Sequence, residues 1–405
     1  MAVQAFRRAP RDLPLRDENL PFARPDITEE EIDAVVAVMK SGWLTSGPEV
    51  QQFEKEFASA VGAKHALALN SATAALHLGM VAWNIGPDDA VLVPSITFTA
   101  TAEVIGYSGG MPLIVDVNRS DYLLDASIIE EFIKKQCRYR NKKLTHISSG
   151  RRIRGIIPVH LAGKVCDMDA LLDLGEKYGL HIMEDAAHAF PASRGEKKVG
   201  SISELTAFSF YATKNMTTGE GGMLTTNLDA LANRLRRVRL HGIQGQTYGR
   251  KRWKYDVVDL GYKYNMTDMA AAMGRIQLKR TEQMQRRRNE IVNTYRNELG
   301  NLPALRLPEV CPGEANHLFT VEITDESPMN RDRFVEEMYS RKIGTSLHFI
   351  PLYRHTYYKK KLGLKGADFP NSEDIYSRIV SLPLYTAMTD SDVLDVATAV
   401  REILG

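Results

Sequence analysis

The chain has 405 residues, 44% hydrophobic and 25% charged, with a formal net charge of +2. That length suggests a large domain with a smaller one attached, and the near-neutral charge gives no global attraction to nucleic acid or a membrane surface. Three widely spaced cysteines (Cys137, Cys166, Cys311) contain no CxxC pair, and the ten histidines show no metal-ligand spacing, so neither a disulfide framework nor a metal site is indicated.

Residues 1–25 read as an extended Pro/Arg-rich arm, too charged for a signal peptide. No apolar run reaches the ~20 residues of a membrane span, and a reducing cytoplasm is the expected compartment. A helix begins at Thr28, which forms a capping-box pattern with Glu31; Ile32, Val35, Val36 and Met39 make its apolar face and Gly42 stops it. A second amphipathic helix carries Phe53, Phe57 and Val61. Strands and helices then alternate. Strands are expected at His65–Asn70, Ala90–Pro94, Pro112–Val117, Gly155–His160, His181–Asp185, Thr206–Tyr211 and Gly222–Thr226. Helices fall at Thr73–Trp83, Thr99–Tyr107, Ser127–Lys135 and Met168–Tyr178. Short apolar runs punctuated by helices predict an α/β fold with a mostly parallel sheet covered on both faces.

Thr267–Leu299 reads as one long helix. Beyond it, the texture is α+β, with strands at His317–Ile323 and Gly344–Phe349, a helix at Arg331–Lys342 and a last helix capped by Thr389. The expected division is an arm (1–25), a large domain (26–280) and a small C-terminal domain (281–405). Lys134–Arg154 holds nine basic residues and no acid; it fits either a solvated insertion or an electrostatic patch for an anionic substrate.

The segment Ala207-Phe-Ser-Phe-Tyr-Ala-Thr-Lys214 runs an apolar strand into a lysine, followed by a glycine-rich turn. Burial lowers an amine's pKa and makes it a usable nucleophile toward carbonyls. A lysine-bound pyridoxal phosphate also needs a carboxylate for its pyridine nitrogen, a phosphate cradle and a flat side chain against the ring. Asp185 ends the apolar strand His181–Asp185, while Glu184 faces the opposite side by strand alternation. Asn70-Ser-Ala-Thr73 stands at a strand-to-helix junction with free N–H groups, Ser209 adds a hydroxyl, and Phe98 follows the second strand. Neither a GxGxxG nor a GxxxxGK[ST] motif is present, which argues against a dinucleotide or nucleoside-triphosphate site.

The ordered set Ser71-Ala72-Thr73, Phe98, Asp185 with His188, Ser209, Lys214 and Gly261-Tyr-Lys-Tyr-Asn265 resembles the DegT/StrS group of pyridoxal-phosphate-dependent sugar-nucleotide aminotransferases. Further matching strings are Ser41-Gly-Trp-Leu-Thr-Ser-Gly-Pro48, Thr217-Thr-Gly-Glu-Gly-Gly222 and Ile343-Gly-Thr-Ser-Leu-His348. The resemblance runs from about Leu20 to the C-terminus and implies the fold-type-I, aspartate-aminotransferase-like architecture. It implies Lys214 as the Schiff-base lysine and Asp185 at the pyridine nitrogen. Phe98 would stack on the ring, with His188 beside it. Ala72, Thr73 and Ser209 would take the phosphate, and Asn265 would reach it from a second subunit of a homodimer with shared sites. Thr45, His348, Tyr353 and His160 match positions near the substrate. The strings Glu184–Ala189, Gly261–Asn265, Ile343–Phe349 and Ser381–Leu384 look most like enzymes that aminate UDP-4-ketopentoses for lipid A modification; 4-keto-6-deoxyhexose enzymes share several of them. The expected reaction moves an amino group from glutamate, which leaves as 2-oxoglutarate, to a nucleotide-linked keto-sugar. A related sugar deoxygenase carries His in place of the lysine, and a non-catalytic regulator on this fold would be expected to have lost Lys214 or Asp185; this chain has both.

Overall fold

Apolar runs that need cover on both faces form the centre of the chain. The computed structural model describes residues 16–245 and 254–405; the first fifteen residues of the expected arm lie outside the described residues. Nine strands make one sheet: β1 (His65–Leu69), β2 (Asp89–Pro94), β3 (Met111–Val115), β4 (Cys137–Arg140), β5 (Lys143–His146), β6 (Arg152–Ile156), β7 (His181–Asp185), β8 (Leu205–Ser209) and β9 (Gly222–Thr226). The main path runs β1-β9-β8-β7-β6-β2-β3. Strands β3, β2, β6, β7 and β8 are parallel, and β9 is antiparallel to both its neighbours, so β1 again points with β8. The carboxyl ends of β1, β2, β7 and β8 therefore share one edge, where open α/β sheets bind ligands.

The basic segment adds regular structure that its charges conceal. β4 and β5 form a hairpin joined to β6 through Thr145 and Arg152. Leu144 is buried under it while Arg138, Arg140, Lys142 and Lys143 are exposed. Alternation is thus present on one strand only, too little for a period to register.

The helix Asp268–Leu299 spans two cores. Its Thr267 cap accepts the Ala270 N–H at 3.2 Å. Ala271 and Met284 pack with Phe53 and Phe57. Farther on, Ile291, Val292, Tyr295 and Leu299 join Phe319–Ile323, Ile379–Leu382 and Asp390–Leu404 in a separate apolar cluster. Leu20 belongs to that cluster, exchanging backbone hydrogen bonds with Lys342 and Gly344 at 2.9 Å each, so the end of the expected arm is tied down.

One expected strand does not form, and one expected apolar helix face lies outside the core. Gly344–Phe349 is not a strand; isolated bridges join Ile343 to Leu20 and Ser346 to Ser381, and the strand beside Phe319–Ile323 is Ile379–Leu382. The apolar face of the first helix, Glu29–Ser41, is not buried within the chain: Ile32 is 46% and Met39 59% exposed, and the helix buries Glu31 and Val38 instead. Among the described residues no helix is long and apolar enough to cross a membrane.

Candidate active site

A cleft of about 540 Å³ opens at the shared strand edge, walled by Ser71, Ala72, Thr73, Phe98, Asp185, His188, Ser209, Lys214, His317 and His348, among others. Each wall has a local cause. At the end of β1 Ser71 caps the helix Ala72–Ala82, its hydroxyl oxygen accepting the Ala74 N–H at 3.0 Å. The N–H groups of Ala72 and Thr73 lie ahead of the first intrahelical bonds, and both residues line the cleft, so this helix end is suited to hold an anion there. Gly222 lets β9 start against this turn, since a Cβ there would lie 2.4 Å from the Ser71 carbonyl carbon and 2.6 Å from the Ala72 nitrogen.

Strand alternation separates the two carboxylates at the end of β7 as expected. Glu184 is fully buried on the far face, accepting from His160 (2.9 Å), the Ser203 N–H (3.1 Å) and hydroxyl (2.8 Å), and the Thr206 hydroxyl (2.8 Å). Asp185 faces the cleft. It accepts from the Thr101 hydroxyl at 2.7 Å and the Ala187 N–H at 3.1 Å. Burial raises its pKa, and those two donors together with the charges of Lys214 and His160 hold it down.

Lys214 lies beyond the strand rather than on it. β8 ends at Ser209, and the chain folds back so that Phe210 accepts the Thr218 N–H at 3.0 Å and donates to Gly221 at 2.9 Å. The half-buried lysine sits in this turn, its pKa pushed down to about 8 by burial and opposed by the charge of Asp185. Burial and the lysine likewise hold His188 well below the usual histidine range and bring His348 to about 4; burial, His188 and the lysine keep His317 low.

Phe98 is 59% exposed although it follows a buried strand, so it is not the core residue that an isolated aromatic there would suggest. Other expected site residues are placed elsewhere. His160 is wholly buried behind Asp185 and paired with Glu184. Tyr353 is buried too, stacked on Phe369 with ring centroids 4.3 Å apart. Neither borders the cleft, because each side chain points into a core layer. Thr45 is exposed, its carbonyl accepting the Asp268 N–H at 3.3 Å. Asn265 donates to the Ser46 hydroxyl at 2.7 Å and borders a neighbouring groove of about 380 Å³ with Thr218 and Glu220.

Sequence reasoning missed Thr101, Phe22 and His317. Thr101 stands one turn after Phe98 in the same motif, a spacing that would have shown it. Phe22, in the supposed arm, meets His348 with ring centroids 5.3 Å apart. His317 had no local signal.

A lysine with a depressed pKa, a carboxylate at the end of a parallel strand and a helix end free to hold a phosphate fit a pyridoxal phosphate site of fold type I. Comparison with known proteins narrows the class. Residues 25–401 match the model of the DegT/DnrJ/EryC1/StrS aminotransferase family. The spore coat polysaccharide biosynthesis protein SpsC of Bacillus subtilis is 43% identical over 397 residues, covering 96% of this chain and 98% of that protein. Among solved structures, Spr1654 of Streptococcus pneumoniae, assigned as a sugar aminotransferase and captured in its PMP form, superposes with a TM-score of 0.86 at 30% identity, covering 95% of this chain and all of that one. Helicobacter pylori PseC, an aminotransferase involved in pseudoaminic acid biosynthesis, gives a TM-score of 0.86 at 25% identity, covering 96% and 99%. The chain belongs to the DegT/DnrJ/EryC1/StrS aminotransferase family. It is a pyridoxal-phosphate-dependent sugar aminotransferase.

Proposed function

We propose that this enzyme transfers the amino group of glutamate to C4 of a UDP-linked 4-keto sugar, a pentose or a hexose, in the cytoplasm and for a cell-surface polysaccharide. The observation that carries the chemistry is Lys214 with its amine near pKa 8 in the same cleft as Asp185. The polysaccharide setting is supported by the name of the 43% identical Bacillus relative.

In this reading Lys214 anchors the cofactor, Asp185 faces its pyridine nitrogen, and Phe98 and His188 flank the ring. Ala72, Thr73 and Ser209 take the phosphate. When bound, pyridoxal phosphate supplies the electron sink that stabilises a carbanion at the donor's α-carbon. Lys214, once free as a neutral amine, takes the proton from that carbon; as an ammonium it gives a proton back to the sugar carbon being aminated. The Thr101 hydroxyl keeps Asp185 oriented and ionised. His348 borders the sugar side of the cleft, and Thr45 joins it across a subunit boundary.

That boundary is the contact between two copies of the chain. Ile32, Met39, Trp43 and Leu44, and farther along the chain Leu260 at 79% exposure, are apolar side chains left open to solvent that a second copy would cover. Asn265 would then serve the partner's cradle.

The test follows the visible absorption of the lysine-bound cofactor. Glutamate should bleach it, and a panel of UDP- and dTDP-linked keto sugars should restore it only with a UDP-4-keto sugar. Restoration by dTDP sugars alone would overturn the nucleotide assignment. A Lys214→Ala protein that keeps both the absorption and turnover would overturn the lysine's role.

A further inference from the structure

His188 and His317 are set by one residue of the loop that follows β6. Ala162, with φ at 61°, donates its N–H to His188 Nδ1 at 3.3 Å and accepts the His317 N–H at 3.0 Å. The neighbouring glycine allows the close approach: a Cβ on Gly163 would lie 3.1 Å from the nitrogens of Asn316 and His317. The two imidazoles end with centroids 4.4 Å apart.

Asn215, the residue after Lys214, reads the other edge of His317. Its Nδ2 donates to the Ala315 carbonyl at 2.8 Å, which fixes the amide's orientation and turns Oδ1 toward His317 Nδ1 at 2.9 Å. An amide oxygen can only accept, so the His317 proton sits on Nδ1 and Nε2 is bare. In His188 the order is reversed, because Nδ1 accepts and Nε2 carries the proton. The groups that face His317 are His188, Lys214, His348 and the buried guanidinium of Arg288, which donates to the carbonyls of Asn316 (3.3 Å), His317 (3.4 Å) and Leu384 (3.2 Å). None of these is an acid, so none of them favours an imidazolium; the carboxylate in the same cleft, Asp185, is bonded to Thr101 and Ala187.

We propose that His317 contacts substrate, its bare Nε2 accepting a hydrogen bond from a sugar hydroxyl, and that Asn215 is the positioning residue that keeps the proton on Nδ1. This rests on the sugar aminotransferase reading above. A bare acceptor beside the reacting lysine suits a hydroxyl and disfavours a carboxylate, so it discriminates the keto-sugar from the amino donor. Because Asn215 adjoins Lys214 and also holds Ala315, the same amide registers the lysine turn against the segment that carries His317.

Two measurements test it. Histidine-ring nitrogen NMR of the cofactor-loaded protein, with His317 assigned by its loss in His317→Gln, should show the neutral Nδ1–H form through about pH 6 to 8. An Nε2–H form or an imidazolium at neutral pH overturns the proposal. In steady-state kinetics, Asn215→Ala and His317→Phe should lower kcat/KM for the keto-sugar by about tenfold more than for the amino donor, the scale of one lost hydrogen bond to a substrate group. Asn215→Asp keeps the acceptor but adds a negative charge beside Nδ1, so its sugar-side profile should gain an acidic limb that recovers as pH rises. An equal fall on both sides without that limb overturns the proposal. Failure of the underlying reading looks different: glutamate bleaches the cofactor, no keto-sugar restores it, and the His317 proton is still on Nδ1.

Discussion

Replacing Lys214 by methionine in the cofactor-free protein removes a poorly solvated ammonium while keeping an unbranched side chain. The amine is held at about 8 against 10.5 for a free lysine, a gap worth about 3 kcal/mol. The unfolded chain binds this proton more readily, so the penalty on the folded state is complete below about pH 8. It fades through the window up to 10.5, where the unfolded lysine also loses its proton. Asp185 works against the gain, since the variant removes a charge that holds its carboxyl down. The net advantage of the variant near neutral pH is therefore on the order of 1–2 kcal/mol. Urea unfolding of both cofactor-free proteins across this range should show a difference that is constant below about pH 8 and closes toward 10.5. A difference that does not change between neutrality and pH 10.5 would place the lysine in the ordinary range and refute the low pKa on which its role depends. The same pKa implies that about one molecule in ten carries a neutral amine at neutral pH, against about one in 3,000 for a free lysine.

Three further outcomes are expected. Phe98→Ala should leave the stability of the cofactor-free protein within about 0.5 kcal/mol, because the ring is exposed, yet loosen cofactor roughly tenfold in equilibrium dialysis. Gly222→Ala drives a methyl group into the backbone of Ser71 and Ala72 and should cost about 2–3 kcal/mol in unfolding experiments, with weakened cofactor retention. Thr101→Val removes a donor to Asp185 at 2.7 Å; the carboxyl's already raised pKa should rise further, so the acid limb of the pH–rate profile moves to higher pH with little change on the alkaline side.

How legible these features were depends on how far along the chain their causes lie. Asp185 could be told from Glu184 because a two-residue period is a property of the strand alone, and the structure shows the two carboxylates on opposite faces. The helix cap at Ser71 was readable for the same reason. The strand before Lys214 stops two residues short of the expected Tyr211, since its end is set by Phe210 pairing with Thr218 and Gly221, a loop closure that apolar character does not encode. The β4–β5 hairpin leaves no period in the sequence because only Leu144 keeps an apolar beat among the basic residues.

The histidines make the distinction sharpest. His160, His188 and His317 are equivalent as letters, and each follows or opens an apolar run. His160 is taken out of the cleft by Glu184, which is one residue from Asp185 but 24 residues from His160 itself. His317 is brought into it by Asn215, 102 residues earlier, and by the carbonyl of Ala162. Neither fate has a local cause. What decides whether a histidine here becomes a buttress or a wall of the cleft is the acceptor it meets. A carboxylate on the far face of β7 draws one imidazole inward, while an amide fixed beside the reactive lysine leaves the other with a free nitrogen. The lysine itself stood out because an apolar strand runs into it, a local feature of the sequence; the burial that depresses its pKa, like the protonation states of the groups around it, arises only when distant segments close around its turn.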